Sequence, residues 1–487
     1  MSNNEWPVLI IGAGPVGLAA AVHLKARGLE PLLLEAGSSV GHAVRQWSHV
    51  RMFSPWRFNT DPLAAQWLAA VGWTAPAPES FPTGAELARD YLDPLAALPA
   101  LAPHIVLEAR VVAVSRRGRN RMQSAERARA PFVVRYRHQG QEHEVLARAV
   151  IDASGTLATP SPAGGSGLPA LGEIALGERV RYGLPDIAGA DRDRHAGRRT
   201  LVIGSGHSAF NALAELARLA EQVPGTRIHW AVRRPSLRRV LGGGENDQLA
   251  ERGALGLRIG RLVASGRVQL HTGVLVARMV ETDMGVCAES EDGHRLPPVD
   301  AVIVATGFRP DLSLSAELRL DLDPGTQAPR VLAPLIDPNL HSCGTVRPHG
   351  ARELKHPEPD FYVVGMKSYG RAPTFLLLTG YEQVRSIAAA LAGDWESAQR
   401  VELRLPETGV CSVQFAQEES GTAAALSEGC CGGPAPATAA DACCLADAQA
   451  RDAGATGCGC RSDAPVVRVA KAGDCGSVPD GARSCAG

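Results

Sequence analysis

Cysteine is almost absent from the first 410 residues of this chain, which hold only Cys287 and Cys343 of its 11 cysteines. A secreted scaffold held together by disulfides distributes its cysteines through the fold, so that class of protein is excluded. The other nine cysteines lie between Cys411 and Cys485, in one terminal segment. We interpret this segment as a metal-binding or redox appendage on an enzyme of a reducing compartment.

The chain also lacks an excess of charge of either sign. Its formal net charge is −1, so the composition gives no electrostatic basis for binding nucleic acid or an anionic membrane surface. No segment approaches the ~20 consecutive apolar residues that a membrane span requires. The apolar run at residues 7–24 has no basic segment before it and does not resemble a signal peptide. We expect a cytoplasmic protein that acts on a small molecule, without nucleic-acid or membrane partners, and homo-oligomerisation stays open.

A glycine motif lies between two predicted strands near the start of the chain. The 487 residues, 45% of them apolar, can form two or three domains, and this motif marks the first. Residues 7–11 and 30–34 are short apolar runs typical of buried parallel strands, and residues 18–27 predict a helix that ends at Gly28. Three residues follow the first strand at the G-x-G-x-x-G spacing: Gly12, Gly14 and Gly17.

Each part of this motif has a physical task in binding a dinucleotide. Gly12 forms the tight turn, Gly14 lets the backbone approach a pyrophosphate, and Gly17 lets helix and strand pack closely. The helix N-terminus offers unpaired N–H groups to the phosphates. Glu35, at the end of the second strand, can accept hydrogen bonds from the ribose hydroxyls. Strand, glycines, helix, strand and acid in this order predict a nucleotide site.

A second motif of the same kind begins near residue 200. Residues 199–203 and 227–232 predict parallel strands, and residues 208–220 predict an amphipathic helix between them. The motif residues are Gly204, Gly206 and Ala209, and alanine is permitted at the third position. The sequence therefore predicts a second nucleotide site.

Arginines follow the last strand of the second motif where the first motif has an acid. A carboxylate there would repel the 2′-phosphate of NADPH, whereas the guanidinium groups of Arg233 and Arg234 can bind it bidentately. The alternative is a solvated basic turn, because Arg238 and Arg239 follow closely. We predict NADPH rather than NADH.

Two further apolar strands end in small residues and glycine. The stretch A-V-I-D-A-S-G ends at Gly155 and closes a predicted β-meander that begins at Val106, and A-V-I-V-A-T-G ends at Gly307 before F-R-P-D. With the two glycine motifs, these stretches resemble the flavin-containing monooxygenase and pyridine nucleotide–disulfide reductase superfamily. The resemblance covers residues 7–405.

The resemblance implies an α/β fold with two dinucleotide-binding (Rossmann-like) domains and the cofactors FAD and NADPH. The FAD domain would comprise residues 1–185 and 310–405, and the NADPH domain, residues 186–309, would be inserted into it. Residues 406–487 are rich in Ala, Gly, Ser and Cys and have few large apolar residues. They predict a disordered, Cys-rich tail.

The end of the FAD domain supplies further candidate cofactor contacts. Residues 361–365 resemble its last strand, and Pro373 can begin a helix that runs to Leu391. In the superfamily the N-terminus of this helix faces the flavin pyrimidine, where its dipole stabilises the anionic reduced flavin. The resemblance adds four residues at the cofactors: Gly155, Gly307, Gly365 and Thr374.

Missing cysteines also indicate the branch of the superfamily. Its disulfide reductases need a dithiol beside the flavin, and residues 36–60 and 157–205 contain no cysteine. The monooxygenase branch needs no protein thiol, because its reduced flavin reacts with oxygen. The resemblance places residues 40–47 and 53–61 beside the flavin. Near these stretches we identify two candidate catalytic residues, Asn59 and Arg51.

The monooxygenase pattern is only partly kept. Its F-x-G-x-x-x-H motif falls on residues 187–195, where Gly189 is present but Ile187 replaces the aromatic residue and Asp193 replaces the histidine.

A loop near residue 345 has histidine and cysteine at the spacing of soft-metal ligands. The alternative is that it is a histidine pair near a buried cysteine, without a metal. The residues of this loop are His341, Cys343 and His349.

Most of the tail cysteines occur in adjacent or close pairs, an arrangement that suits the ligands of a soft metal ion. Adjacent thiols are poorly placed for an unstrained disulfide with each other, but they can give two or three thiolates to a thiophilic ion. Zinc is disfavoured because the tail lacks histidine and the C-x₂-C spacing. The alternative is a tail with incidental cysteines. Six cysteines are candidate metal ligands: Cys430, Cys431, Cys443, Cys444, Cys458 and Cys460.

The whole chain is similar to the flavin-dependent monooxygenases encoded in arsenic-resistance operons, and Cys-Cys-Gly tails occur on other arsenic-handling proteins. This resemblance implies an NADPH- and FAD-dependent oxidation of a soft nucleophile such as trivalent arsenic, whose lone pair can be oxidised. Two other functions stay open. One is an NADPH-driven thiol or metal reductase that uses the tail cysteines, and the other is a flavoprotein whose tail sequesters metal.

Overall fold

A computed structural model describes residues 6–237, 241, 250–338, 346–373 and 375–403. The strands of these residues are β1 (Val8–Ile11), β2 (Pro31–Leu34), β3 (Ile105–Val106), β4 (Arg110–Arg116), β5 (Phe132–His138), β6 (Gln141–Ala147), β7 (Ala149–Asp152), β8 (Val180–Tyr182), β9 (Arg199–Ile203), β10 (Arg227–Val232), β11 (Gln269–Thr272), β12 (Val276–Thr282), β13 (Gly285–Ser290), β14 (Ala301–Val304) and β15 (Phe361–Val363).

The same parts of the chain contain both long helices and single helical turns. The α-helices are α1 (Pro15–Lys25), α2 (His42–Arg45), α3 (Pro62–Ala70), α4 (Gly84–Leu87), α5 (Asp93–Ala96), α6 (Arg192–His195), α7 (His207–Gln222), α8 (Ala250–Ala264), α9 (Ala333–Ile336), α10 (Ala351–Leu354), α11 (Leu377–Leu391) and α12 (Trp395–Gln399). Among these described helices, none combines the length and the apolar character of a membrane span.

The first sheet is parallel and has the strand order β15-β7-β1-β2-β3. All four residues of β1 are buried, because β1 lies between β2 and β7, with Val8 opposite both Pro31 and Ala149. Helices α1 and α11 pack against each other in the largest apolar core. Apolar runs buried on both faces are typical of parallel sheets covered by helices.

The second sheet is also parallel, with the order β11-β10-β9-β14-β8. Helix α7 buries its apolar stripe in the core of this sheet, together with residues of α8. The hairpin β12–β13 follows β11 in the chain. The two parallel sheets confirm the expected α/β class with two dinucleotide-binding folds. The domain boundaries and the disorder of the tail stay predictions, and the tail lies outside the described residues.

Three sequence-based expectations need correction. The antiparallel meander comprises only β4, β5 and β6, whereas the stretch that ends at Gly155 forms β7 of the first parallel sheet. Its four buried residues suit a strand flanked on both sides. Helix α1 begins at Pro15, which is well tolerated at the first helical position, and ends at Lys25. Helix α11 begins at Leu377 instead of Pro373, because Leu376 is extended.

Candidate functional site

The first glycine turn, residues 12–17, uses its outer glycines for packing and leaves its middle glycine open. Gly12 has φ +95°, and a Cβ atom there would lie 3.0 Å from the carbonyl oxygen of Ala153. A Cβ atom on Gly17 would overlap the carbonyl oxygen of Gly12. Gly14, by contrast, has no atom within 4 Å of its Cβ position. The turn therefore leaves space beside Gly14, where the pyrophosphate of a bound dinucleotide approaches the backbone.

The surroundings of this turn suit an anionic ligand. Gly14 caps α1 without a side-chain hydrogen bond, and the first turn of α1 contains no acidic residue. Glu35, only 9% exposed, follows β2 and accepts hydrogen bonds from the N–H groups of Ala13 (2.7 Å) and Gly37 (2.8 Å). Each carboxylate oxygen has a further lone pair for a ribose hydroxyl. These residues fit the adenosine diphosphate part of FAD.

The second glycine turn, residues 204–209, repeats the arrangement. Gly204 has φ +130°, and a Cβ atom there would overlap the carbonyl oxygen of Ala305. Gly206 has no atom within 4 Å of its Cβ position, and Ala209 is fully buried against the core. The indole of Trp230 donates a 2.7 Å hydrogen bond to the carbonyl of Gly204 and fixes the turn. A second nucleotide fits here for the same reason as at the first turn.

Two arginines lie at the end of β10, beside the second glycine turn. Arg233 and Arg234 are exposed, and their side chains have no partner among the residues that the structure describes. The backbone carbonyl of Arg234 accepts a hydrogen bond from Gly273, which orders the turn but leaves the guanidinium group out. Their recognition of a 2′-phosphate stays a prediction.

Three further candidate residues follow parallel strands at their carboxyl ends. Gly155 follows β7, Gly307 follows β14 and Gly365 follows β15, with φ values of +70°, +97° and +66°. Gly155 and Gly307 have no atom within 4 Å of a Cβ position. The carboxyl edge of an open α/β sheet is where its ligands bind. Cofactor contacts of these glycines stay predictions, and Thr374 lies outside the described residues.

Residues 40–61, called here the flavin-side segment after the place that the resemblance gives them, contain both catalytic candidates. Asn59 is fully buried: its amide donates to the carbonyls of Ser54 (2.7 Å) and Pro55 (3.0 Å) and accepts from the Ser54 hydroxyl (2.8 Å). Asn59 therefore orders the segment. Arg51 is exposed and donates to the carbonyl of Phe81. Catalytic roles for both stay predictions.

A buried ion pair at the carboxyl edge of the first sheet was missed by the sequence analysis. Lys367 and Asp152 are each 1% exposed, and the ammonium nitrogen lies 2.7 Å from Asp152 Oδ2. Lys367 also donates to the hydroxyl of Ser154 at 3.0 Å, and that hydroxyl donates to Asp152 Oδ1 at 2.6 Å. The available signal was a charged residue at the end of the apolar strand β7 and another shortly after the apolar strand β15.

A second buried network holds the turn at Gly365. Gln383, on α11, accepts from the N–H of Gly365 (2.8 Å) and donates to Ser368 Oγ (2.9 Å) and His349 Nε2 (2.9 Å). His349 Nδ1 lies 3.1 Å from the Arg347 carbonyl, to which it must donate. Burial lowers the pKa of His349, in keeping with a ring that donates from Nδ1 and accepts at Nε2. Both ring nitrogens are engaged, which favours the structural alternative for this histidine.

The remaining candidate metal ligands are one histidine and seven cysteines. His341 and Cys343 lie outside the described residues, and so do the six tail cysteines. Within the described ranges, no group of three or more His, Cys, Asp or Glu side chains could hold a metal ion. The one cysteine that the structure describes is Cys287 in β13, whose thiol lies 3.5 Å from the carbonyl oxygen of Leu296, a residue that follows β13 in the chain. No described thiol therefore lies at the carboxyl edge of the first sheet.

The stretch that aligns with the monooxygenase F-x-G-x-x-x-H motif is a packed turn. Asp186 accepts the N–H of Gly189 at 2.9 Å, and Ile187 is fully buried. His195, 1% exposed, lies 2.9 Å from the Thr200 hydroxyl, and burial lowers its pKa to about 4. These residues connect β8 to β9 within the second sheet, and the contact of His195 with Thr200 stabilises the start of β9.

Solved structures share this fold. A bacillithiol disulfide reductase from Bacillus cereus is 20% identical, with a TM-score of 0.58 over 80% of this chain and 99% of that one. A cadaverine monooxygenase from Erwinia amylovora, solved with FAD, is 15% identical, with a TM-score of 0.56 over 85% and 99%. A flavin monooxygenase from Stenotrophomonas maltophilia is 23% identical, with a TM-score of 0.52 over 80% and 98%.

The sequence comparisons identify the family. No curated protein matches the chain. A family model does match, over residues 9–331, a range that includes both glycine turns and the flavin-side segment. The expected resemblance is confirmed: the chain is a FAD-dependent oxidoreductase, and it belongs to the pyridine nucleotide-disulphide oxidoreductase family.

Proposed function

We propose that this chain is an NADPH-dependent flavin monooxygenase that oxidises a soft nucleophile, and that trivalent arsenic is its substrate. The strongest support is that both glycine turns have room for a nucleotide, while the described residues place no thiol at the carboxyl edge of the first sheet. A reductase that passes electrons through a dithiol needs such a thiol beside the flavin. A monooxygenase needs only a place for each nucleotide and a shielded site between them.

When bound, FAD and NADPH would supply the redox chemistry of hydride transfer and oxygen reduction. The chain's own residues bind the two cofactors and shield the flavin from water. Gly14 and Gly206 leave room for the two pyrophosphates, and Glu35 accepts from the ribose. In the flavin-side segment Trp56 is 5% exposed, and Asn59 and Tyr381 hold the segment through a 2.7 Å hydrogen bond from the Tyr381 hydroxyl to the Asn59 carbonyl. A fixed apolar wall of this kind limits the entry of water.

The choice of NADPH rests on Arg233 and Arg234. Both guanidinium groups are exposed at the end of β10, and they have no partner among the described residues. Guanidinium groups bind phosphate through paired N–H donors, so both are available for the 2′-phosphate that distinguishes NADPH from NADH.

The choice of arsenic rests on the tail sequence together with the resemblance. Adjacent thiols such as Cys430–Cys431 and Cys443–Cys444 suit a thiophilic ion that accepts several thiolates. Trivalent arsenic is thiophilic, and it also carries a lone pair that can attack an electrophilic oxygen atom. In this proposal the tail gathers the substrate and the flavin oxidises it.

The test is the stoichiometry of turnover in air. Arsenite, oxygen, NADPH and a proton should give arsenate, water and NADP⁺ in equal amounts, with one atom of ¹⁸O₂ in each arsenate formed. The matched control is Gly206→Val, which should retain FAD and lose this turnover. NADPH oxidation that proceeds without oxygen when a disulfide is supplied would contradict the proposal and favour the reductase. Oxygen uptake that yields only hydrogen peroxide would contradict the arsenic substrate.

A further inference from the structure

Helix α7 begins at the second glycine turn, and one of its faces lies against the flavin-side segment. His207 is the first residue of α7, and its ring centroid lies 5.0 Å from that of Phe53, with the rings tilted by 44°. The helix therefore meets this segment where the rings of His207 and Phe53 pack together.

Aromatic contacts continue from Phe53 back to the glycine turn itself. His207 also packs edge-on against Phe210, with ring centroids 6.3 Å apart, and Phe210 packs edge-on against Trp230 at 5.9 Å. Trp230 donates its indole N–H to the carbonyl of Gly204 at 2.7 Å. A continuous series of packed rings thus joins the flavin-side segment to the backbone of the second glycine turn.

We propose that Phe53 is a positioning residue for the nicotinamide coenzyme, although it belongs to the other nucleotide-binding half. It acts through His207, which follows Gly206 directly and is exposed at the open middle of the turn. Phe53 holds the imidazole on one side and Phe210 holds it on another, so the ring is oriented before the coenzyme arrives. The imidazole then faces the coenzyme diphosphate. This inference rests on the proposed function, because it requires the coenzyme at the second glycine turn.

The expected effect is modest because a single aromatic contact is lost. Such a pair contributes enough to change an equilibrium constant roughly 2- to 10-fold. Phe53→Ala should therefore weaken NADP⁺ binding by that factor. Phe53→Tyr keeps the ring and should bind NADP⁺ as the wild type does. Both variants are loaded with FAD before the titration, because Phe53 also belongs to the flavin-side segment.

The experiment is an equilibrium titration of the full-length, FAD-loaded protein. NADP⁺ and adenosine 2′-monophosphate are the two ligands, because only the first has a diphosphate. Phe53→Ala should weaken NADP⁺ alone. In a protein that already carries His207→Ala, Phe53→Ala should not weaken NADP⁺ binding further, because Phe53 acts through the His207 ring.

Three results would overturn the inference. NADP⁺ could bind Phe53→Ala as tightly as the wild type. Both ligands could weaken equally, which would show a general distortion of the second half. The effects of Phe53→Ala and His207→Ala could add. If the wild type itself bound neither NADP⁺ nor NAD⁺, the proposed function would fail instead, so the two failures are distinguishable.

Discussion

Lys367→Met removes one partner of the buried ion pair with Asp152 and should destabilise the chain strongly. The two charged atoms lie 2.7 Å apart and both side chains are 1% exposed, so water cannot replace the lost ammonium. Loss of one partner from a buried pair costs about 3–5 kcal/mol, because the other charge is left uncompensated. That is a large fraction of the free energy of unfolding of a typical domain, which is ~5–15 kcal/mol.

The damage should extend to FAD binding. Lys367 also holds Ser154, and a Cβ atom on Gly12 would lie only 3.1 Å from the Ser154 Cα atom, so this loop packs on the first glycine turn. When the lysine is lost, the loop and the turn are both loosened. We expect a higher Kd for FAD as well as easier unfolding.

The assay is a double-mutant cycle measured by urea unfolding of the apoprotein. The variants are Lys367→Met, Asp152→Asn and the pair together. The combined variant has no uncompensated charge, so its loss of stability should be well below the sum of the two single losses. Because independent sites add within about 0.5 kcal/mol, additive losses would refute the buried-pair reasoning.

Three further predictions concern the coenzyme, pH and the tail. Arg233→Ala with Arg234→Ala should raise the KM for NADPH by roughly 10- to 100-fold and leave that for NADH unchanged; an equal loss for both would show that the arginines do not read the 2′-phosphate. His195 has a pKa of about 4 in the folded chain against 6.5 ordinarily, so the unfolded chain binds more protons between these values. Stability should therefore fall as pH falls from 6.5 to 4, less steeply in His195→Gln, and equal slopes in calorimetry would contradict this. Serine at the four cysteines of the two adjacent tail pairs should raise the KM for arsenite and preserve kcat, whereas a loss of kcat would support the reductase.

The glycine turns could be predicted from the sequence because their geometry is local. Gly12 and Gly204 need positive φ, and Gly17 needs the absence of a side chain beside Gly12, so the glycine spacing together with the flanking strands and helix identified them. The same short stretches also predicted correctly which flanking elements are strands and which are helices. The starts of α1 and α11 differed from the prediction, because Pro15 begins the first helix and the extended Leu376 delays the second.

Long-range pairing could not be predicted. β7 follows the meander in sequence, yet it pairs with β1, which no local pattern indicates. Lys367 and Asp152 are 215 residues apart in sequence, and each alone is typical of a surface loop. The ring contact of Phe53 with His207 likewise depends on how α7 lies against the flavin-side segment. For Asn59 the sequence indicated a polar group near the flavin, but its amide orders its own segment.

The FAD content of Gly14→Val tests most directly whether the first glycine turn holds the flavin cofactor. No atom lies within 4 Å of the Cβ position of Gly14, so the apoprotein should fold with unchanged stability. Its side chain would fill the pyrophosphate space, and the purified protein should be colourless. Gly206→Val, which has the same open surroundings in the second turn, should stay fully yellow and lose NADP⁺ binding. A yellow Gly14→Val protein with one FAD per chain would contradict the assignment.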